Sequence, residues 1–261
     1  MNDNTAAGLN YGMFRRKLFN ETATTVLIYD MGATKTTATV FEYQIIKDKD
    51  SSEKNPQLSV LGVGYDRTLG GLEMTMRLRD HLLSLWRQQY TGSRDITENP
   101  RAMAKLLKEA EVLKKVLSAN VDHVAQIEGL FEDIDFKPVR VTRDEFEQMC
   151  ADLFARVERP VRDALKAAEL DPNQIDTVIL MGGSTRVPRV QDYLSSFLNG
   201  KELGKYLNTD EAGALGAVYQ AAHLSKGFKV LKFGIKESNL FPISVDFEKE
   251  VEEEAKATAE R

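Results

Sequence analysis

The sequence is poor in the residues that build covalent and metal-based chemistry. Its 261 residues contain one cysteine, Cys150, which excludes an internal disulfide and any site held by several cysteines. The histidines, at 81, 123 and 223, show no ligand spacing to cysteine or to one another, so metal catalysis built on either is not expected. No apolar run reaches the roughly 18–20 residues needed to cross a bilayer. The opening MNDNTAAGLNYG lacks the basic start and apolar stretch of a signal peptide. An excess of positive charge is lacking too: 35 Lys and Arg face 40 Asp and Glu, a formal net charge of −5. That balance argues against a nucleic-acid-coating surface. Neither a nucleic acid nor a membrane is therefore an expected partner.

What is present is the composition of a soluble globular chain, 42% hydrophobic and 29% charged, long enough for one or two domains with a sizeable core. Asn20-Glu21-Thr22 is an N-glycosylation sequon. It matters only in a secretory compartment, and such triplets arise often by chance.

Patterning divides the chain. Thr25 to Asp30 (TVLIYD) suits a buried strand entering a turn, Thr36 to Ile46 its antiparallel return, and Leu58 to Tyr65 a third strand, with a charged loop at 47–56. Gly70-Gly71 opens a long helix whose apolar face is expected at Leu72, Met76, Leu83 and Trp86. After a polar loop at 91–100, a second helix begins near Arg101, with Leu106, Ala110, Leu113 and Leu117 on one stripe. His123 to Phe136 and Lys137 to Val141 read as a hairpin. The sequence Thr142-Arg143-Asp144-Glu145 reads as a capping box opening a third long helix, which Pro160 interrupts or restarts. Asp176 to Met181 is a short buried strand, followed by two glycines and a helix through Leu198. A last helix, Asp210 to Leu224, carries Ala212, Leu215, Gly216 and Tyr219 for tight packing on a sheet. From Lys226 the pattern alternates like an edge strand, and from Asp246 seven acids against three bases make an acidic tail. Strands flanking a helical middle predict an α/β fold interrupted by an α-rich insertion.

Four segments have the chemistry of an anion or nucleotide site, and each has a plainer reading. Asp30-Met31-Gly32-Ala33-Thr34-Lys35 can turn backbone N–H groups toward phosphate with a carboxylate beside a metal, or be a hairpin turn. Gly182-Gly183-Ser184-Thr185-Arg186 permits close backbone approach and places a guanidinium for stacking on adenine, or is a strand-to-helix turn capped by Ser184. Glu111, Lys114, Lys115 and Ser118 share one helical stripe and can hold a ribose and an adenine edge, or form a surface ion pair. Thr68-Leu69-Gly70-Gly71 can present amides to an anion, or simply start a helix.

Their order is more specific than any one of them. Asn2 to Gly12, VLIYDMG (26–32), RTLGG (67–71), EVLKKVLSAN (111–120), FEDIDF (131–136), DEFEQMCADLF (144–154), ILMGGSTRVPRVQ (179–191) and NTDEAGALGAVYQAA (208–222) follow one another. Together they resemble the second half of an ATPase domain of the heat-shock protein 70 superfamily, over roughly residues 1–225. DRTLGGLEM, ENPRAMAKLLKEA, LSANVDHVAQIEGL and FPISVDFEKEVEEE are similar to its large, stress-induced endoplasmic-reticulum branch.

The resemblance implies lobe II of an actin-like (ribonuclease H-like) α/β ATPase fold. Residues 1–65 and 176–225 would form its α/β subdomain and 66–175 the α-rich insertion. Residues 226–240 would be linker-like, and 241–261 would begin a substrate-binding domain with an acidic tail. It implies that Glu111, Lys114, Lys115 and Ser118 bind adenosine. Gly182, Gly183, Ser184, Arg186 and Asp210 form a second adenosine and phosphate segment, with Gly32, Ala33, Thr34, Lys35 and Gly71 on the phosphate side. Asp30 and Asp3 would organise magnesium through water, with ATP or ADP as ligand.

Departures from the family pattern stand at the phosphate hairpin. Ala33 and Thr34 replace freer glycines, Lys35 stands where a hydroxyl is usual and would offer charge to phosphate, and Thr37 replaces an acid. The first lobe, with its own phosphate loop and catalytic lysine, would precede Met1, so this chain alone is not expected to hydrolyse ATP. The expected role is a chaperone nucleotide-binding lobe of the endoplasmic-reticulum lumen, glycosylated at Asn20, whose clients bind elsewhere in the longer protein. The alternative is a nucleotide-exchange module for a conventional endoplasmic-reticulum chaperone of the same family, with 66–175 as partner-facing surface. A sugar or acetate kinase on the same fold accounts less well for that insertion.

Overall fold

The computed structural model describes residues 1–47, 53–90, 95–239, 241 and 243–247. The middle of the expected 47–56 loop, the start of the 91–100 loop and the acidic tail from 248 lie outside the described residues.

The chain opens with helix α1 (Asp3–Phe14), which pattern reading did not find because Asn4 to Gly12 are buried all round rather than along a stripe. Strands β1 (Thr24–Met31), β2 (Thr36–Lys47) and β3 (Lys54–Asp66) form an antiparallel meander. Both faces of the sheet are covered, and alternate residues serve different cores. Leu27, Tyr29 and Met31 pack on one side and Val26 and Ile28 on the other.

Helix α2 (Gly71–Gln89) buries Met74, Thr75, Leu78, Leu82, Leu83 and Trp86. The expected face was therefore misplaced: Leu72 is 44% exposed, and Met76 is only partly buried. Leu83 and Trp86 sit at the edge of the true stripe, so a helical line drawn back through them picks the wrong first turn. Helix α3 (Pro100–Leu117) starts at a proline, with the Asn99 side chain accepting the N–H of Ala102 at 3.0 Å. Its Leu106, Ala110, Leu113 and Leu117 are fully buried, as the spacing requires.

Strands β4 (Asp122–Phe131) and β5 (Ile134–Thr142) make the expected hairpin, but they turn earlier than read. Glu132 and Asp133 hold the left-handed backbone there at φ 49° and 59°. Thr142 and Glu145 form the capping box of α4 (Arg143–Met149). The long third helix is instead three pieces, α4, α5 (Ala151–Phe154) and α6 (Arg159–Ala168). It first breaks at Cys150, ahead of Pro160, which sits harmlessly in the first turn of α6. Cys150 is fully buried, and burial pushes its thiol up to about 12.

Strand β6 (Thr177–Met181) pairs parallel to β1, and α7 (Pro188–Phe197) follows it. Beyond these lie β7 (Leu203–Gly204), α8 (Ala212–Leu224) and β8 (Gly234–Lys236), which give the sheet order β7-β6-β1-β2-β3-β8. β8 is the edge strand read from Lys226 onward, shorter than the alternation implied, and Phe233 ahead of it is buried against Tyr43. α6 packs on β2 and β3, where Cβ atoms at Gly62 and Gly64 would lie 2.2 Å from Ala164 O and 2.0 Å from Pro160 O. One continuous apolar core runs from β1 and β2 through α6 into α2, α3, β5 and α4.

Helix α8 packs on α1 rather than on the sheet face, with Leu215 45% exposed. The small residue that allows this is Gly216, whose added Cβ would lie 1.8 Å from Ala6 O. Gly216→Val is expected to cost about 3 kcal/mol, lowering the thermal midpoint by roughly 6–12 °C. Gly213→Ala, with nothing within 4 Å of its Cβ, is expected to be neutral or slightly stabilising. Calorimetry of the two variants checks the pair.

Candidate functional site

The site is built where β1 and β6 end side by side in the sheet. The β1–β2 turn closes with Gly32 N–H donating to Lys35 O at 3.0 Å. Three neighbours hold that turn. Gly71 N–H donates to Gly32 O at 3.0 Å and Leu72 N–H to Ala33 O at 2.7 Å, so the first amides of α2 meet carbonyls of the protein rather than open solvent. Ser184 Oγ donates to Gly32 O at 2.8 Å, across 152 residues of chain. The approach is so close that Cβ atoms at Gly70 and Gly182 would lie 2.3 Å from Ala33 O and Met31 O. Gly182 also holds φ at 80°, a conformation that favours glycine.

The cap expected within the Gly182-to-Arg186 segment does not form. Ser184 does not cap a helix; it braces the turn opposite. A single turn of 3₁₀ helix spans Gly183–Arg186, and α7 begins only at Pro188.

Helix α3 supplies the facing wall. Lys114 Nζ reaches Gly71 O at 3.0 Å, Thr75 Oγ1 at 2.8 Å and Glu111 Oε2 at 2.7 Å. An ammonium has three donors, so all of Lys114's are engaged within the protein. Thr75 Oγ1 also lies 2.7 Å from Glu111 Oε2, and Lys115 Nζ lies 3.3 Å from Glu111 Oε1. Ser118 Oγ donates to Lys114 O at 2.8 Å. Burial opposes ionisation of Glu111, but the hydrogen bonds from Lys114 and Thr75 outweigh it and hold the carboxyl below its ordinary range.

Between these walls lies a cleft of about 590 Å³. Of the residues singled out from sequence, it gathers Gly32, Ala33, Glu111, Lys114, Lys115, Ser118, Gly183, Ser184 and Arg186 on its lining. Gly71 and Gly182 lie behind that surface as close-contact backbone. Thr34 and Asp210 are exposed and do not line it, and neither does Lys35, whose ammonium turns to Asp3 at 2.6 Å. Asn20 is exposed in the loop ahead of β1, away from the cleft, its Oδ1 accepting Thr22 N–H at 2.7 Å. Ala119 and Val187 also line the cleft, and Thr75 positions Glu111 from behind it. Thr75 could have been found as the polar member of the α2 face at 71, 74, 75 and 78, had that face been placed correctly.

The lining carries Lys114, Lys115 and Arg186 against one acid, Glu111, and Arg186 is exposed with no ion pair among the described residues. A concave, partly apolar cleft with a cationic rim suits an anionic ligand that has a flat, apolar part.

The acids expected to organise magnesium fit that task poorly. Asp3 Oδ2 meets Lys35, and Oδ1 accepts Asn4 N–H at 2.9 Å, so both oxygens are engaged. Asp3 is partly buried, which works against ionisation, but Lys35 and the Asn4 amide outweigh burial and hold it low. Burial first, and then the Asp3 charge, raise the Asp30 carboxyl. Among the described residues no group of three or more His, Cys, Asp or Glu is placed to hold a metal ion.

Thr75→Val should release Glu111. Its carboxyl is expected to titrate higher than in the parent, toward the ordinary value, when followed by NMR. A depressed carboxyl stabilises the fold above its unfolded pKa, and that contribution is lost as pH falls through the folded pKa. The stability gap between the parent and Thr75→Val should therefore narrow on acidification through the carboxylate range.

The family model described as "Hsp70 protein" matches residues 1–260. Hypoxia up-regulated protein 1 of Danio rerio is 58% identical over 254 residues, covering 97% of this chain and 26% of that protein. The Xenopus tropicalis protein of that name is 57% identical, covering 97% and 39%, and the human one 57%, covering 97% and 25%. The chain thus spans between a quarter and two-fifths of the length of these relatives. The mixed sheet and its helices accord with that match over nearly every residue, and the chain belongs to the Hsp70 family.

Proposed function

We propose that the chain is the adenine-nucleotide-binding lobe of a chaperone of the endoplasmic-reticulum lumen, and that in a longer protein it couples ATP or ADP to the handling of unfolded clients. The observation that carries the reading is the cleft itself. Segments around 32, 111–119 and 183–187, far apart in sequence, meet on one lining with three cations and one acid. Family membership brings nucleotide binding in general; adenine and the compartment are the finer steps. The exposed Arg186 guanidinium is suited to lie on a purine face. Glu111, fixed by Thr75 and Lys114, offers acceptors to ribose hydroxyls, with Ser118 and Lys115 beside it on the stripe. Gly32 and Ala33 bring the turn backbone to the phosphate end. Lys114 serves as a brace rather than a contact, because its donors are already engaged. The exposed Asn20 sequon supports the luminal compartment, where it would carry its glycan.

The affinity of this chain for ADP is expected to be weaker than about 1 µM, without turnover. Arg186→Ala and Lys115→Ala should each weaken ADP binding by about threefold to tenfold at unchanged thermal midpoint. Asp210→Ala, outside the cleft, should leave it unchanged. Titration calorimetry decides the matter. Submicromolar affinity or measurable hydrolysis by this chain would overturn the one-lobe reading, and indifference to Arg186 and Lys115 would remove the cleft as the site.

A further inference from the structure

The β1–β2 turn carries a charge that the cleft does not use. Lys35 Nζ lies 2.6 Å from Asp3 Oδ2 in the first turn of α1, and Asp3 Oδ1 accepts Asn4 N–H at 2.9 Å. The position of the lysine is set by the backbone, since its carbonyl accepts Gly32 N–H at 3.0 Å and closes the turn. Asp30, at the end of β1, shares the corner and lies within electrostatic reach of both Asp3 and Lys35. Gly182 closes over it, with an added Cβ 2.6 Å from Asp30 Oδ1. Lys35 and Asp3 line a separate cavity of about 400 Å³, with Thr37, Asp66 and Arg67 also on its wall.

An exposed ion pair on its own is weak. A divalent ion approaching Asp3, however, meets a carboxylate with no oxygen left without a donor. Bound there it would compete with those donors and sit beside the Lys35 ammonium, whose positive charge repels it at such separations. On the same cavity wall Arg67 is a further cation, and the acid there, Asp66, is already paired with Arg156.

We propose that Lys35 is a resident cation: its ammonium neutralises Asp3 beside Asp30, keeps divalent metal out of this corner, and makes nucleotide binding by the chain indifferent to magnesium. The exclusion of metal rests on Lys35 and Asp3 alone; the indifference of nucleotide binding rests on the function proposed above.

Manganese is the probe. Electron paramagnetic resonance titration without nucleotide is expected to show no saturable Mn²⁺ site in the parent chain below about 1 mM. Lys35→Ser should gain a site at least about tenfold tighter, and adding Asp3→Asn should abolish it. Lys35→Met, which removes the charge but offers no hydroxyl, should behave like Lys35→Ser. In a second arm, ADP affinity of the parent should differ by less than about twofold between Mg²⁺ and EDTA, while Lys35→Ser should bind at least about fivefold tighter with Mg²⁺. Equal manganese binding by parent and Lys35→Ser, or none in either, overturns the metal exclusion. A parent whose ADP affinity depends on Mg²⁺ overturns the indifference. If no variant binds ADP, the nucleotide reading and the indifference fall together, while the manganese titration still decides the metal exclusion.

Discussion

The carbonyl oxygen of Gly32 accepts from Gly71 N–H and from Ser184 Oγ, and so ties the meander, the insertion and the C-terminal half of the chain at one point. Each partner belongs to a different element, and none is near another in sequence. The arrangement demands absent side chains at 70 and 182, where backbone lies against backbone. It also demands a positive φ at Gly182, so that the chain leaves β6 toward the turn rather than along the strand. The cleft is a consequence: once the three segments are pinned, α3 has one place to lie, and its polar stripe faces the junction.

The insertion is held to the sheet by a second, electrostatic joint. Arg156, between α5 and α6, makes paired contacts to Asp66 at the end of β3, at 3.0 and 2.6 Å, and a third to Thr68 Oγ1 at 2.6 Å. Asp66 is buried, which works against its ionisation, yet Arg156 and the Thr68 N–H hold its carboxyl below the ordinary range. Tyr29 adds a buried bond from the middle of β1 to Val157 O at 3.2 Å. These contacts flank the β1–β2 turn and add to the backbone bonds that hold the start of α2 against it.

Elements whose faces have one simple environment were legible in the sequence. The α3 stripe, the capping box at Thr142 and the three strands of the meander each follow from a local rule, and the structure repeats them. What could not be read depended on contacts from far away. α1 shows no amphipathic stripe because the sheet lies on one side and α8 on another. The break at Cys150 has no glycine or proline to announce it; the chain turns there so that Phe146 and Phe154 can both enter the core, edge to face at 6.3 Å between centroids. For the cleft, the pattern supplied residue types and their order. The direction of each side chain was settled by partners that spacing does not reveal.

The lysines illustrate that limit. Three of them stand near the junction, and composition alone treats them as equal donors to an anionic ligand. Lys114 is 15% exposed and spends its donors on Gly71, Thr75 and Glu111, while Lys35 spends its charge on Asp3. Lys115, 71% exposed and reaching Glu111 only at 3.3 Å, keeps the freedom to turn toward a ligand. The positive charge lining this cleft is thus of two kinds: a half-buried ammonium that fixes an acid in place, and two exposed cations, Lys115 and Arg186, that remain adaptable. Because Lys114 orients Glu111 before any ligand arrives, the ordering cost of that wall is met in folding rather than in binding. A charge-preserving exchange of Lys114 for arginine would not keep this, since a planar fork cannot take the three convergent acceptors that a tetrahedral ammonium reaches here.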